Sequence, residues 1–203
     1  MDFLEKDLES IIYEASQTKE GRNLLKNRNL QLRPSGKMFR QVRLGTYGVA
    51  DLVDVSIEYE INECSRLRSL YVEIIELKRG VIDYSALGQA CRYLTAVKEL
   101  SESINHKKFY ECNFHITLIG SKLDVKGDDS FVFLYNELND VVDAFTYNYA
   151  LNGINFNYIA HHWRKIESSF CKELEEKITH PKYSELRQCI ELYDFRDCSI
   201  FNK

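Results

Sequence analysis

The sequence predicts an α/β fold in three layers, with a mixed central sheet flanked by helices. Two observations lead there. The periodicities run helix, three strands, helix, strand along the chain. The third of those strands is apolar on both faces towards its end, Tyr71-Val72-Glu73-Ile74-Ile75, as a strand covered from both sides has to be. With 203 residues and 44% hydrophobic composition, the chain can form one domain with a sizeable core.

Each element has its own signal. Leu4, Leu8, Ile11, Ile12 and Ala15 recur at helical spacing, so residues 2–16 read as an amphipathic helix with Glu5 and Glu9 one turn apart. A further helical turn around residues 23–26 precedes a loop closed by Pro34-Ser35-Gly36. Residues 38–44 alternate as a strand, and Gly45-Thr46-Tyr47-Gly48 turns the chain into a second, residues 49–57, to make a hairpin. The third strand covers residues 68–78. Asp83 and Ser85 can cap a helix reaching Ser101, with Leu87, Cys91, Leu94 and Val97 along one side.

Residues 112–119 alternate Phe114, Ile116 and Leu118 as a fourth strand, followed by a polar loop and a short helix over 131–138. Residues 141–149 and 154–159 flank Leu151-Asn152-Gly153 as a second hairpin. Trp163, Ile166, Phe170 and Leu174 repeat at intervals of three or four, and residues 183–193 follow Pro181, so the C-terminal third reads as helical. The expected organisation is a core over 1–160 and a helical extension over 161–203 packed on it, within a single domain.

No stretch approaches the ~18 apolar residues of a membrane span, and the N-terminus lacks the basic flank and apolar run of a secretory signal. A soluble, cytoplasmic protein that does not engage membranes is the expectation. Six widely spaced cysteines without a Cys-x-x-Cys pair point to free thiols in a reducing compartment rather than to zinc. Net charge is −4, yet Lys19, Arg22, Lys26, Arg28, Arg33, Lys37, Arg40 and Arg43 face only Glu20 in their segment, a local +7. Such a segment can follow a phosphate backbone by neutralising it, with Arg28, Arg33, Lys37, Arg40 and Arg43 as candidate nucleic-acid contacts. A solvated basic face is the plainer alternative.

Chemistry concentrates after that segment. Asp51 stands between apolar neighbours in a strand that should be buried, and a buried acid needs a hydrogen bond or a cation. Asp54 lies on the opposite strand face from it. Glu76 and Lys78, two apart in a strand, project to one side together; Glu175-Glu176-Lys177 has the same spacing in a helical context, where residues two apart diverge. Gln89 and Tyr93 share a helical face, where the amide can bond a phosphate oxygen or a site carboxylate and the phenol can brace it. His115 reads as a satisfied polar partner, His161-His162 as surface or capping residues, and the aromatic run at 145–149 as strand.

Taken together, Gly48-x-x-Asp51, an apolar strand ending Glu76-x-Lys78, and Gln89-x-x-x-Tyr93 resemble the PD-(D/E)XK nuclease superfamily, in particular its RecB-like branch with the Gln-x-x-x-Tyr element. The match spans residues 38–97, and Ala50 stands where the family name has proline. The resemblance implies a restriction-endonuclease-like core in which Asp51 and Glu76 bind Mg2+ or Mn2+, Lys78 orients or polarises the attacking water, and Gln89 and Tyr93 support the site. It also suggests a first-helix glutamate as a further ligand, for which Glu9 is chosen over Glu5. The expected activity is metal-dependent hydrolysis of phosphodiester bonds in single- or double-stranded DNA, by a homodimer if both strands of a duplex are cut. The alternatives are a catalytically silent nucleic-acid-binding module on the same scaffold and a protein-interaction domain whose basic segment meets an acidic partner.

Overall fold

A computed structural model of the chain describes residues 5–62, 65–104, 111–124, 129–150 and 153–161, all within one compact unit, Met1–His161. The expected C-terminal helices, with Trp163 and His162, lie outside the described residues, as does the expected packing of residues 161–203 on the core.

In order, the elements are α1 (Glu5–Ser16), α2 (Lys19–Asn27), β1 (Lys37–Arg43), a 3-10 turn (Gly45–Tyr47), β2 (Val49–Asn62), β3 (Ser65–Leu77), β4 (Val81–Ile82), α3 (Tyr84–Ile104), β5 (Glu111–Gly120), β6 (Lys122–Leu123), α4 (Asp129–Glu137), β7 (Val142–Ala150) and β8 (Gly153–Tyr158). Where one helical turn was expected near residue 25, a nine-residue α2 stands. It starts because the Thr18 hydroxyl accepts the Gly21 N–H at 3.0 Å, a cap just outside the expected segment.

Six strands form a mixed sheet in the order β1-β2-β3-β5-β7-β8. β1, β2 and β3 run antiparallel as a meander, β3, β5 and β7 are parallel, and β8 returns antiparallel to β7. α3 lies in the connection from β3 to β5 and α4 in that from β5 to β7, as parallel neighbours require. Among the described residues, a mixed six-stranded sheet with four helices is compatible with a three-layer α/β arrangement. Alternating strand positions feed two cores. Ile74, Ile116, Leu118 and Ala144 pack with Ala86 and Ala90 of α3 and Phe131 of α4, whereas Leu52, Ile75, Leu77 and Phe156 pack with Leu8 and Ile12 of α1 and Leu25 of α2. β3 serves both, which explains why its apolar residues fall on both faces, Val72 and Ile74 on one and Ile75 and Leu77 on the other.

Charged side chains are distributed unevenly around this frame. Arg22, one of the eight clustered cations, is not on a solvated face: its guanidinium grips the buried Asp54 carboxylate through two bonds of 2.9 and 3.1 Å and donates to the Ser16 and Arg33 carbonyls, each at 2.7 Å. At the β8 edge of the sheet, the Phe156 N–H donates to the Arg28 carbonyl at 2.9 Å. At the other edge, β1 leaves Lys37, Phe39, Arg40 and Arg43 exposed. Among the described residues, no helix is long and apolar enough to cross a membrane.

Candidate functional site

The β2–β3 ladder has its last pair at Leu52↔Ile75. One residue further on, the Asp51 side chain takes over, its Oδ2 accepting the Leu77 N–H at 2.9 Å. The next N–H, that of Lys78, donates to the Ile119 carbonyl of β5 at 2.7 Å. The C-terminal end of β3 is thereby fixed from both sides, and Glu76 sits within the fixed stretch.

Glu76 is 1% exposed. Its Oε1 accepts from Lys78 Nζ at 2.7 Å, while its Oε2 is buried with no hydrogen-bond partner. Lys78 Nζ also donates to Gln89 Oε1 at 3.2 Å, and Gln89 Nε2 donates to the Tyr93 hydroxyl at 2.7 Å. Glu76, Lys78, Gln89 and Tyr93 are thus one continuous polar chain from β3 to α3. Tyr93 is buried, and it packs against Gly48, whose φ is 122°. A Cβ at Gly48 would lie 3.0 Å from the Tyr93 ring, so both the backbone conformation and the close approach call for glycine there.

Electrostatics follow from burial. Burial, with Asp51 as neighbour, lifts the Glu76 carboxyl to about 7 despite the hydrogen bond and charge of Lys78. The Asp51 carboxyl is raised as well, by burial against the opposing Leu77 N–H, with Glu5 and Glu9 adding to the rise. Burial works against the Lys78 ammonium, but the hydrogen bond to Glu76 and the Glu76, Glu5 and Asp51 charges outweigh it and leave its pKa above the ordinary value. Glu76, Glu5 and Asp51 thus all act on Lys78.

Both first-helix glutamates belong to this neighbourhood. Glu9, the chosen one, acts on Asp51 and accepts from Gln41 Nε2 at 2.5 Å. Glu5 acts on Asp51, Glu76 and Lys78 alike, and its Oε2 accepts the Arg79 N–H at 3.2 Å. Two residues one helical turn apart look equivalent in sequence; only the height of α1 along β3 separates them.

Among the described residues, no group of three or more His, Cys, Asp or Glu side chains is poised to hold a metal ion. Asp51 and Glu76 nonetheless suit a hard cation of the Mg2+ type, which prefers one or two carboxylates and completes its shell with water and phosphate oxygens. The partnerless Glu76 Oε2 is the atom with capacity to spare.

The basic candidates divide. Lys37, Arg40 and Arg43 lie on exposed β1, beside the strand that carries Asp51; the Lys37 ammonium stands over the Phe39 ring at 5.3 Å and the Arg40 guanidinium over Tyr13 at 4.8 Å. Arg28 and Arg33 are engaged elsewhere, Arg28 with Asn155 at 3.1 Å and Arg33 with Glu58 at 2.9 Å and the Tyr71 ring at 3.5 Å. His115 pairs with Asp143 at 3.0 Å, and His161 stacks on Tyr135 with ring centroids 4.1 Å apart. That stack was invisible in sequence because no local spacing links a residue after β8 to α4. Comparison of the chain with protein-family models, curated proteins and solved structures finds no match.

Proposed function

We propose that the chain is a divalent-metal-dependent nuclease of restriction-endonuclease-like fold that hydrolyses phosphodiester bonds in DNA. The observation that carries this reading is the Glu76 carboxylate: buried, bound on one oxygen by Lys78, bare on the other, and neighboured by a second carboxylate at the C-terminal end of a central parallel strand. Open α/β sheets bind ligands beyond such strand ends. The free thiol of Cys91 suits a cytoplasmic setting.

Asp51 and Glu76 are the residues that would hold the ion. When bound, it would supply a more acidic water and neutralise charge gathering on the phosphate. Lys78, anchored between Glu76 and Gln89, keeps a positive charge beside the nucleophile, and its raised pKa maintains that charge at neutral pH. Gln89 is held by Tyr93, and Tyr93 by the Gly48 turn, so the ammonium does not have to be ordered at the moment of reaction. Lys37, Arg40 and Arg43 on β1 would take the phosphates flanking the scissile bond.

The test is cleavage of labelled single- and double-stranded DNA with Mg2+ or Mn2+. We expect metal-dependent products from the wild type and a fall of about 100-fold or more in Lys78→Met and Asp51→Asn, with circular dichroism unchanged. Wild-type protein that binds DNA without cutting it in either metal would overturn the enzymatic reading. Full activity in either variant would remove that residue from the mechanism.

A further inference from the structure

Away from the Asp51–Glu76 pair, a cavity of about 720 Å³ opens between the loop at residues 29–34 and strands β3, β5, β7 and β8. It cannot be part of the same pocket, because Glu73, which lines it, is three residues from Glu76 along β3 and faces the other side of the sheet. Its size suits a small organic ligand.

The walls are aromatic and the charge is unbalanced. Tyr71, Phe145 and Tyr158 line the cavity, and the last two form a tilted pair with centroids 5.4 Å apart. One of these rings already holds a guanidinium: Arg33 lies 3.5 Å over Tyr71. Each cation that faces the cavity has a carboxylate of its own, Arg33 with Glu58 at 2.9 Å and His115 with Asp143 at 3.0 Å, and Asp143 is further served by Tyr158 and His161. The Arg33 and His115 charges also act on Glu73, so two cations serve Glu58, Asp143 and Glu73 together, and Asp140 adds a further acid. Among the described residues neither has an ion-pair partner; Glu73 takes only the Thr117 hydroxyl, at 2.6 Å on Oε1. Across the ladder from Tyr71, on the same sheet face, the buried Ser56 hydroxyl also lacks a partner.

We infer that this cavity is a second binding site, separate from the acid pair, for a small organic cation carrying an ammonium or guanidinium group, which sets its charge against Glu73 and Asp140 and its body against the Phe145 and Tyr158 rings. Carboxylates in excess of cations, together with π-faces, favour a cation over a small anion. Burial pushes the Glu73 carboxyl above its ordinary range against the Thr117 hydrogen bond and the His115 and Arg33 charges, so an arriving cation relieves a carboxylate held at a cost.

Isothermal titration of the full chain with agmatine tests this, with glutarate as a dianion of similar reach. The expected result is saturable one-to-one agmatine binding, no glutarate binding, and affinity weakened about tenfold in Glu73→Gln, which keeps an acceptor for Thr117. Asp140→Asn, at an exposed position that cannot disturb the core, should weaken it as well. Absence of saturable agmatine binding, glutarate binding of equal strength, or unchanged affinity in Asp140→Asn would each overturn the inference. None of these readouts depends on DNA cleavage.

Discussion

Glu76 holds its proton to about pH 7 in the folded chain, whereas an unfolded chain loses it in the ordinary glutamate range. Between those two values folding takes up a proton, so this group makes stability fall as pH rises, by a few kcal/mol in all, and the loss is complete above about pH 7. Urea denaturation from pH 4 to 8 should show that slope, and Glu76→Gln should flatten it. A second prediction concerns Gly48. Gly48→Ala meets both a positive φ and the Tyr93 ring, so it should cost about 1–3 kcal/mol and loosen the Gln89–Lys78 chain, lowering cleavage while DNA binding stays intact. The positions of Asp51, Glu76 and Lys78 could be read from the chain because strand alternation alone puts Glu76 and Lys78 together. The bond from Asp51 to the Leu77 N–H could not, because it joins residues 26 apart at the point where a ladder ends.

At the level of elements, β1 is where charge and strand geometry combine. Neutralising Lys37, Arg40 and Arg43 to Gln should weaken DNA binding and reduce the salt dependence by about one unit of log–log slope per lost phosphate contact. Arg28→Gln and Arg33→Gln should change it less, since those side chains already have protein partners. Salt titrations by fluorescence anisotropy distinguish the two groups. The first hairpin could be read from its turn, Gly45–Gly48, the pairing of β7 with β8 from the sequence Leu151-Asn152-Gly153 between them, and α1 and α3 from their apolar spacing. The β4–β6 pair was missed, since two residues per strand give alternation no room to show. β2 runs on past residue 57, its expected end, and β3 starts at Ser65, ahead of residue 68; the sequence hides both extensions because Glu58, Glu60, Arg66 and Arg68 break the apolar rhythm there.

For the molecule as a whole, a buried ion pair outside the apolar cores joins α2 to β2 through Arg22 and Asp54. Removing one partner leaves a buried charge alone, so Arg22→Met should destabilise the fold by about 3–5 kcal/mol, and Asp54→Asn by a comparable amount. Differential scanning calorimetry at pH 7 measures both. Read as one of a row of cations, Arg22 looked solvated; its acid lies 32 residues on, and only the folded chain brings them together. If the acid pair holds a divalent ion, Mn2+ at 100 times its dissociation constant should stabilise the protein by about 2.7 kcal/mol, and a chelator should reverse that.

The two borders of the sheet differ in kind. At one, the Arg28 carbonyl meets the Phe156 N–H, and the other, among the described residues, is open but studded with positive side chains. A second copy presenting the same open border would set cation against cation, so strand-to-strand self-association and its slide into aggregates are resisted at this border. Any companion that settles along it has to bring negative charge of its own.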